Sequence, residues 1–187
     1  MKTSDGSNWV LFVASPIVML MLAVPLFGAL QRAAHRVYDA EPRRSWSAGI
    51  DRIDRAVGRN DVTGAMRAWH DAYTDALRSR GWLPMVEAGN AYLKIGRAAG
   101  SLRAAEAKAR EAYLIALFRA RRDGDVDGLL QVAESFAALG DREVVARCLT
   151  IADSVVKRGG DEDARQRVRE TAERLSRPVL AGTQSPM

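Results

Sequence analysis

The chain is poor in the residues that build metal and redox centres. Its 187 residues include one cysteine, Cys148, and two histidines, His35 and His70. A single cysteine excludes an internal disulfide, and with so few histidines beside it no Cys/His zinc site can be assembled. Lysine is scarce too, with 4 against 24 arginines, and aromatics make up only 6% of the chain. No stretch alternates with period two, which argues against half-buried strands. Neither G-x-G-x-x-G nor G-x-x-x-x-G-K-[ST] occurs, so no phosphate-cradling loop is signalled and no cofactor is implied. The length leaves room for one domain of ordinary size plus a small extra element.

A long uncharged run is present instead. The 22 residues from Trp9 to Leu30 carry no charge, and at about 1.5 Å per residue they match the roughly 30 Å of a bilayer core. Pro16 and Pro25 are tolerated in a kinked membrane helix, where neighbouring groups re-satisfy the freed carbonyls. A cleaved signal peptide is the competing reading. It usually has a shorter apolar region ending in small residues, whereas Phe27-Gly28-Ala29 sets a bulky ring there. The expected organisation is an N-terminal tail over 1–8, a transmembrane anchor over 9–31, a juxtamembrane linker over 32–45 broken by Pro42, a helical domain over 46–176 and a disordered tail over 177–187. Arg32, Arg36, Arg43 and Arg44 follow the run against Lys2 before it. The positive-inside rule therefore favours a cytoplasmic domain, with these arginines at anionic headgroups. An extracytoplasmic domain stays open as the alternative.

Beyond Arg44 nearly every window follows helical spacing, predicting an all-α domain. Trp46, Ile50, Ile53 and Val57 form one stripe. Val62, Met66, Trp69, Tyr73 and Leu77 form the next, and Met85, Val86, Gly89, Tyr92 and Ile95 continue after Pro84. A longer helix follows over about 102–121. Leu129, Val132, Ala133, Phe136 and Leu139 mark the fifth helix, and Val145, Leu149 and Ala152 the sixth. The six helices pair, because the second member of each pair repeats a small or aliphatic residue, a large one and Ala: Ala65, Trp69, Ala72; Ala109, Tyr113, Ala116; Val145, Leu149, Ala152. Small residues let helices approach while the large one fills the gap between stacked hairpins. The first helices of pairs two and three also agree, as Gly89, Tyr92, Ile95, Gly96 against Ala133, Phe136, Leu139, Gly140. A last helix over about 161–175, with Ala164, Val168, Ala172 and Leu175 on its apolar stripe, fits a capping role.

This order of small, aromatic, glycine and alanine positions resembles the tetratricopeptide repeat family over about 46–156. The spacings, 44 residues from Ala65 to Ala109 and 36 from Ala109 to Val145, exceed the family's repeat of about 34. The surplus is expected around Arg97 to Ala104. An irregular helical bundle is the alternative. The resemblance implies a stack of about three hairpins that binds protein partners through a concave face lined by first-helix residues. It nominates Val86, Asn90, Leu93 and Lys94 in pair two and Leu130, Gln131 and Glu134 in pair three. The function expected is that of a single-pass membrane scaffold, assembly factor or accessory subunit of a membrane complex.

One motif points elsewhere. Asp123-Gly124-Asp125-Val126-Asp127-Gly128, then five residues and Glu134, satisfies the EF-hand calcium-loop template, with carboxylates at alternating positions and a later bidentate Glu. The same residues also read as an acidic turn whose aspartates cap the next helix, and Arg119, Arg121 and Arg122 occupy the flank where an EF-hand carries apolar residues. A calcium sensor is thus the alternative function. His70 reads as a solvated polar-face residue and Cys148 as a structural thiol, so no catalytic constellation is assembled. The net charge of +5 belongs wholly to residues 32–187, which carry 27 Lys+Arg against 22 Asp+Glu. Acids interspersed along most helices, and aromatics placed on apolar stripes, argue against a nucleic-acid footprint.

Overall fold

The computed structural model describes residues 40–176, with side chains from Trp46 onward. Among the described residues the chain is all α. Its helices are α1 (Ala40–Gly58), α2 (Val62–Arg78), α3 (Leu83–Ala98), α4 (Leu102–Asp123), α5 (Val126–Ala138), α6 (Arg142–Gly159) and α7 (Glu162–Ser176). None of them is long and apolar enough to cross a membrane. The expected anchor over 9–31, Arg32, Arg36 and the expected disordered tail over 177–187 lie outside the described residues.

Helix α1 begins at Ala40, so that it takes in the last six residues of the expected linker, and carries Pro42, Arg43 and Arg44 in its opening turns. Proline needs no N–H partner in a first turn, so Pro42 opens this helix where the sequence reading has it break the chain. The later boundaries follow local chemistry. Asp61 caps α2 by accepting from Gly64 N at 2.7 Å, Pro84 stands in the first turn of α3, and Gly124 closes α4 in the left-handed region at φ 64°.

The helices pack as consecutive hairpins. The most extensive contacts are those of α1 with α2, α3 with α4 and α5 with α6; α7 packs on α5 and α6. First helices of successive pairs also touch, α1 with α3 and α3 with α5, and α5 then meets α7. The residue triplets of the second helices lie in the core: Ala65, Trp69, Ala72, Ala109, Tyr113, Ala116, Val145 and Ala152 are buried, and Leu149 is half-buried. The large member joins neighbouring elements. Trp69 donates Nε1–H to the Ala88 carbonyl at 2.8 Å, stacks on Tyr73 and meets Tyr92 edge-on. Tyr113 meets Phe136 edge-on with centroids 5.7 Å apart.

Small residues set the distances between helices. A Cβ on Gly89 would stand 2.5 Å from the Tyr113 ring, and one on Gly96 would stand 2.2 Å from Ala105 Cβ. Gly96 and Ala105 flank the surplus that makes the second hairpin long: α4 opens seven residues before Ala109, against three between the start of α6 and Val145. About half of the extra length is therefore an added helical turn of α4, and the rest extends α3 past Gly96, where α5 ends before Gly140. On α7 the buried residues are Ala164, Val168 and Thr171. Thr171 takes the place expected of Ala172 because i, i+4, i+7 spacing keeps a helix face in register better than repeated steps of four.

Candidate partner-binding face

Asp125 joins the second hairpin to the third. One carboxylate oxygen accepts from Gly128 N at 2.8 Å and caps α5; the other accepts from Trp82 Nε1 at 2.7 Å. Gly128 is needed beside it, since a Cβ there would stand 2.6 Å from the Trp82 indole nitrogen. The acidic turn thus serves as a helix cap and an inter-hairpin clasp. The remaining residues of the calcium template are held apart by other partners. Asp123 pairs with Arg122 at 2.7 Å, Asp127 with Arg167 at 3.1 Å, and Glu134 with Arg174. Leu129 to Gln131 lie within α5 and not in a loop. Among the described residues no group of three or more His, Cys, Asp or Glu side chains is gathered so as to hold a metal ion.

The nominated groove residues divide by burial. Val86, Leu93 and Leu130 are buried and form part of the core. Asn90, Lys94 and Gln131 are exposed and Glu134 is half-buried. Asn90 accepts from the Tyr113 hydroxyl at 2.6 Å, and Lys94 bridges to Asp54 of α1 at 2.9 Å. The two α3 residues therefore tie α3 to its neighbours as well as facing outward. All three α5 nominees come together: Leu130, Gln131 and Glu134 line a cleft of about 310 Å³ with Asp127 of α5 and with Arg167, Glu170, Thr171 and Arg174 of α7.

The α7 wall of this cleft was not legible in the sequence as a functional surface. Arg167 and Arg174 look like the polar side of a cap, yet seven-residue spacing sets both on one helix face, opposite Asp127 and Glu134. That i, i+7 spacing, matched by the seven residues between Asp127 and Glu134, is the signal that would have paired them.

Electrostatics across the face are uneven. Burial pushes the Glu87 carboxyl above its ordinary range; Lys94 opposes the shift, and nearby Asp54 and Asp51 add to it. Asp51, Asp54 and Glu87 thus gather around Lys94 between α1 and α3, while the cleft between α5 and α7 alternates acids and arginines. Elsewhere the chemistry is structural. Burial pushes the Cys148 thiol up to about 11, so it stays protonated at neutral pH. His70 is exposed. Arg119 directs its guanidinium to the carbonyls of Ala76 and Leu77, which the C-terminus of α2 leaves free, and to that of Gly81 in the following turn. Burial and neighbouring Arg122 lower its pKa.

Compared with known proteins, the chain matches no family model and no curated protein.

Proposed function

We propose that this is a single-pass membrane protein whose tetratricopeptide-like domain holds a protein partner, as a scaffold, assembly factor or accessory subunit of a membrane complex. The anchor in this reading is the uncharged run over 9–31, and the arginines after it favour a domain on the cytoplasmic side with Arg32, Arg36, Arg43 and Arg44 near headgroups. The observation that carries the partner assignment is the row of first helices, α1, α3 and α5, each in contact with the next and continued by α7. Stacked hairpins present such a row as an extended surface for a partner chain.

Of the nominated residues along that row, Asn90, Lys94, Gln131 and Glu134 stay accessible, with Leu130 contributing at the cleft. Val86 and Leu93 support the row from beneath. Gln131 is the most direct contact in this reading, because its side chain lines the cleft and makes no hydrogen bond in common with the core.

Affinity purification of the full chain from detergent-solubilised membranes tests the proposal. A defined partner is expected to co-purify with the natural chain and with a His70→Ala control on α2, and to be lost with Gln131→Arg combined with Glu170→Arg. Retention of the same partner by the double variant would remove the cleft from the function. Extraction of the chain from membranes by alkaline carbonate would remove the anchor.

A further inference from the structure

We propose that the outer face of α4 and α6 docks onto an anionic bilayer surface, with Phe118 and Leu114 entering the interfacial layer while Arg121, Lys157 and Arg158 hold lipid phosphates. Phe118 is 63% exposed and Leu114, one turn before it, is 41% exposed. A largely exposed phenylalanine beside a leucine on one helix face is apolar surface that folding leaves unused. Arg121 follows Phe118 by three residues. With Ile151, Ser154, Lys157 and Arg158 it lines a cavity of about 510 Å³ between α4 and α6.

Charge selects the occupant. Lys157 is paired with Asp153 at 2.6 Å and Arg122 with Asp123 at 2.7 Å. Arg121 and Arg158 make no ion pair among the described residues; Arg158 only donates Nε–H to the Ser154 carbonyl at 3.2 Å. The uncompensated charge around the apolar tips is therefore of one sign, which suits a surface carrying only negative charge. A second copy of this chain would bring the same cations against them and be repelled. The docking is carried by this face alone and does not require the anchor; an anchor would keep the face close to its bilayer.

The test uses the full chain with vesicles of phosphatidylcholine, with and without phosphatidylglycerol, that carry a lipid-borne spin-label quencher. An environment-sensitive fluorophore is attached through Phe118→Cys, with Gln131→Cys on the inner face as control. Cys148 is buried and stays unlabelled. Position 118 is expected to be quenched in phosphatidylglycerol vesicles and position 131 to be unaffected. Adding Arg121→Glu and Arg158→Glu is expected to lower the docked fraction about tenfold or more, at about one factor of five per cation near an anionic surface. Both arginines are exposed, so the charge reversals leave the core intact.

Equal quenching at 118 and 131, or quenching at 118 that ignores lipid charge and the reversed arginines, overturns the proposal. A signal at 118 that follows protein concentration and not lipid would assign the patch to a second copy and overturn it as well. Sedimentation of the chain with phosphatidylcholine vesicles reads the anchor separately, so failure of one reading leaves the other measurable.

Discussion

Asp125 serves two donors at once, the backbone N–H that opens α5 and the indole of Trp82. Replacing it separates the two roles. Asp125→Asn keeps one carbonyl oxygen for Gly128 and loses the second acceptor, at a cost of about 1 kcal/mol. Asp125→Ala also loses the cap and is expected to cost about 2 kcal/mol or more. Urea unfolding of both variants checks the order, and equal stabilities would contradict the clasp. The residues of this turn were legible as a motif but not as a single meaning. Alternating aspartates, a glycine at the sixth place and a glutamate at the twelfth satisfy calcium geometry and helix capping alike. Only the long-range contact with Trp82, 43 residues away in the chain, separates the two uses.

Glu87 gives a pH-dependent prediction at the same scale. Its folded-state pKa is raised, chiefly by burial, so the folded chain holds this proton more tightly than the unfolded one. The stability it contributes is present below the unfolded carboxylate range and is lost as pH rises through the folded value. Glu87→Gln should therefore raise the melting temperature at pH 7, and the gain should vanish at a pH where the natural carboxyl is protonated in both states. A variant less stable than the natural chain at pH 7 would show that Lys94 outweighs desolvation.

At the scale of elements, the glycines are the working parts of the hairpins. Gly96 lies where the added turn of α4 packs on α3, and a methyl group there meets Ala105 Cβ, which cannot swing away. Gly96→Ala must push the two helices apart, at an expected cost of about 1–3 kcal/mol in chemical unfolding. Gly58→Ala at the end of α1, where nothing lies within 4 Å, is the comparison that should fold with little change. Most element positions could be read from the sequence because apolar spacing and Gly or Asp turns coincide, as at Gly124-Asp125. The start of α1 could not, since Pro42 signals both a break and a first turn. The partners of α7 could not either, since a polar helix face reads the same whether it meets water or opposing acids.

For the whole molecule, the +5 charge is not spread evenly over the described surface. On the first helices and α7 the acids Asp54, Asp127 and Glu134 are paired with Lys94, Arg167 and Arg174, while Arg121, Lys157 and Arg158 stand together at the cavity between α4 and α6. The two proposals therefore assign these faces different neighbours, a partner chain along the first helices and an anionic surface at α4 and α6. Hairpin order could be inferred from the repeated triplets because they fix which helix faces meet. Which exposed residues stand ready for a partner could not, since Val86 and Leu93 share a helix face pattern with Asn90 and Lys94 and differ only in what packs on them.

Site-specific photo-crosslinking in intact cells tests the central assignment most directly. A crosslinking amino acid at Gln131, in the cleft between α5 and α7, is expected to trap one defined protein partner, and the same group at His70 on α2 to trap none. Equal labelling from both positions, or a product at His70 alone, would contradict the account.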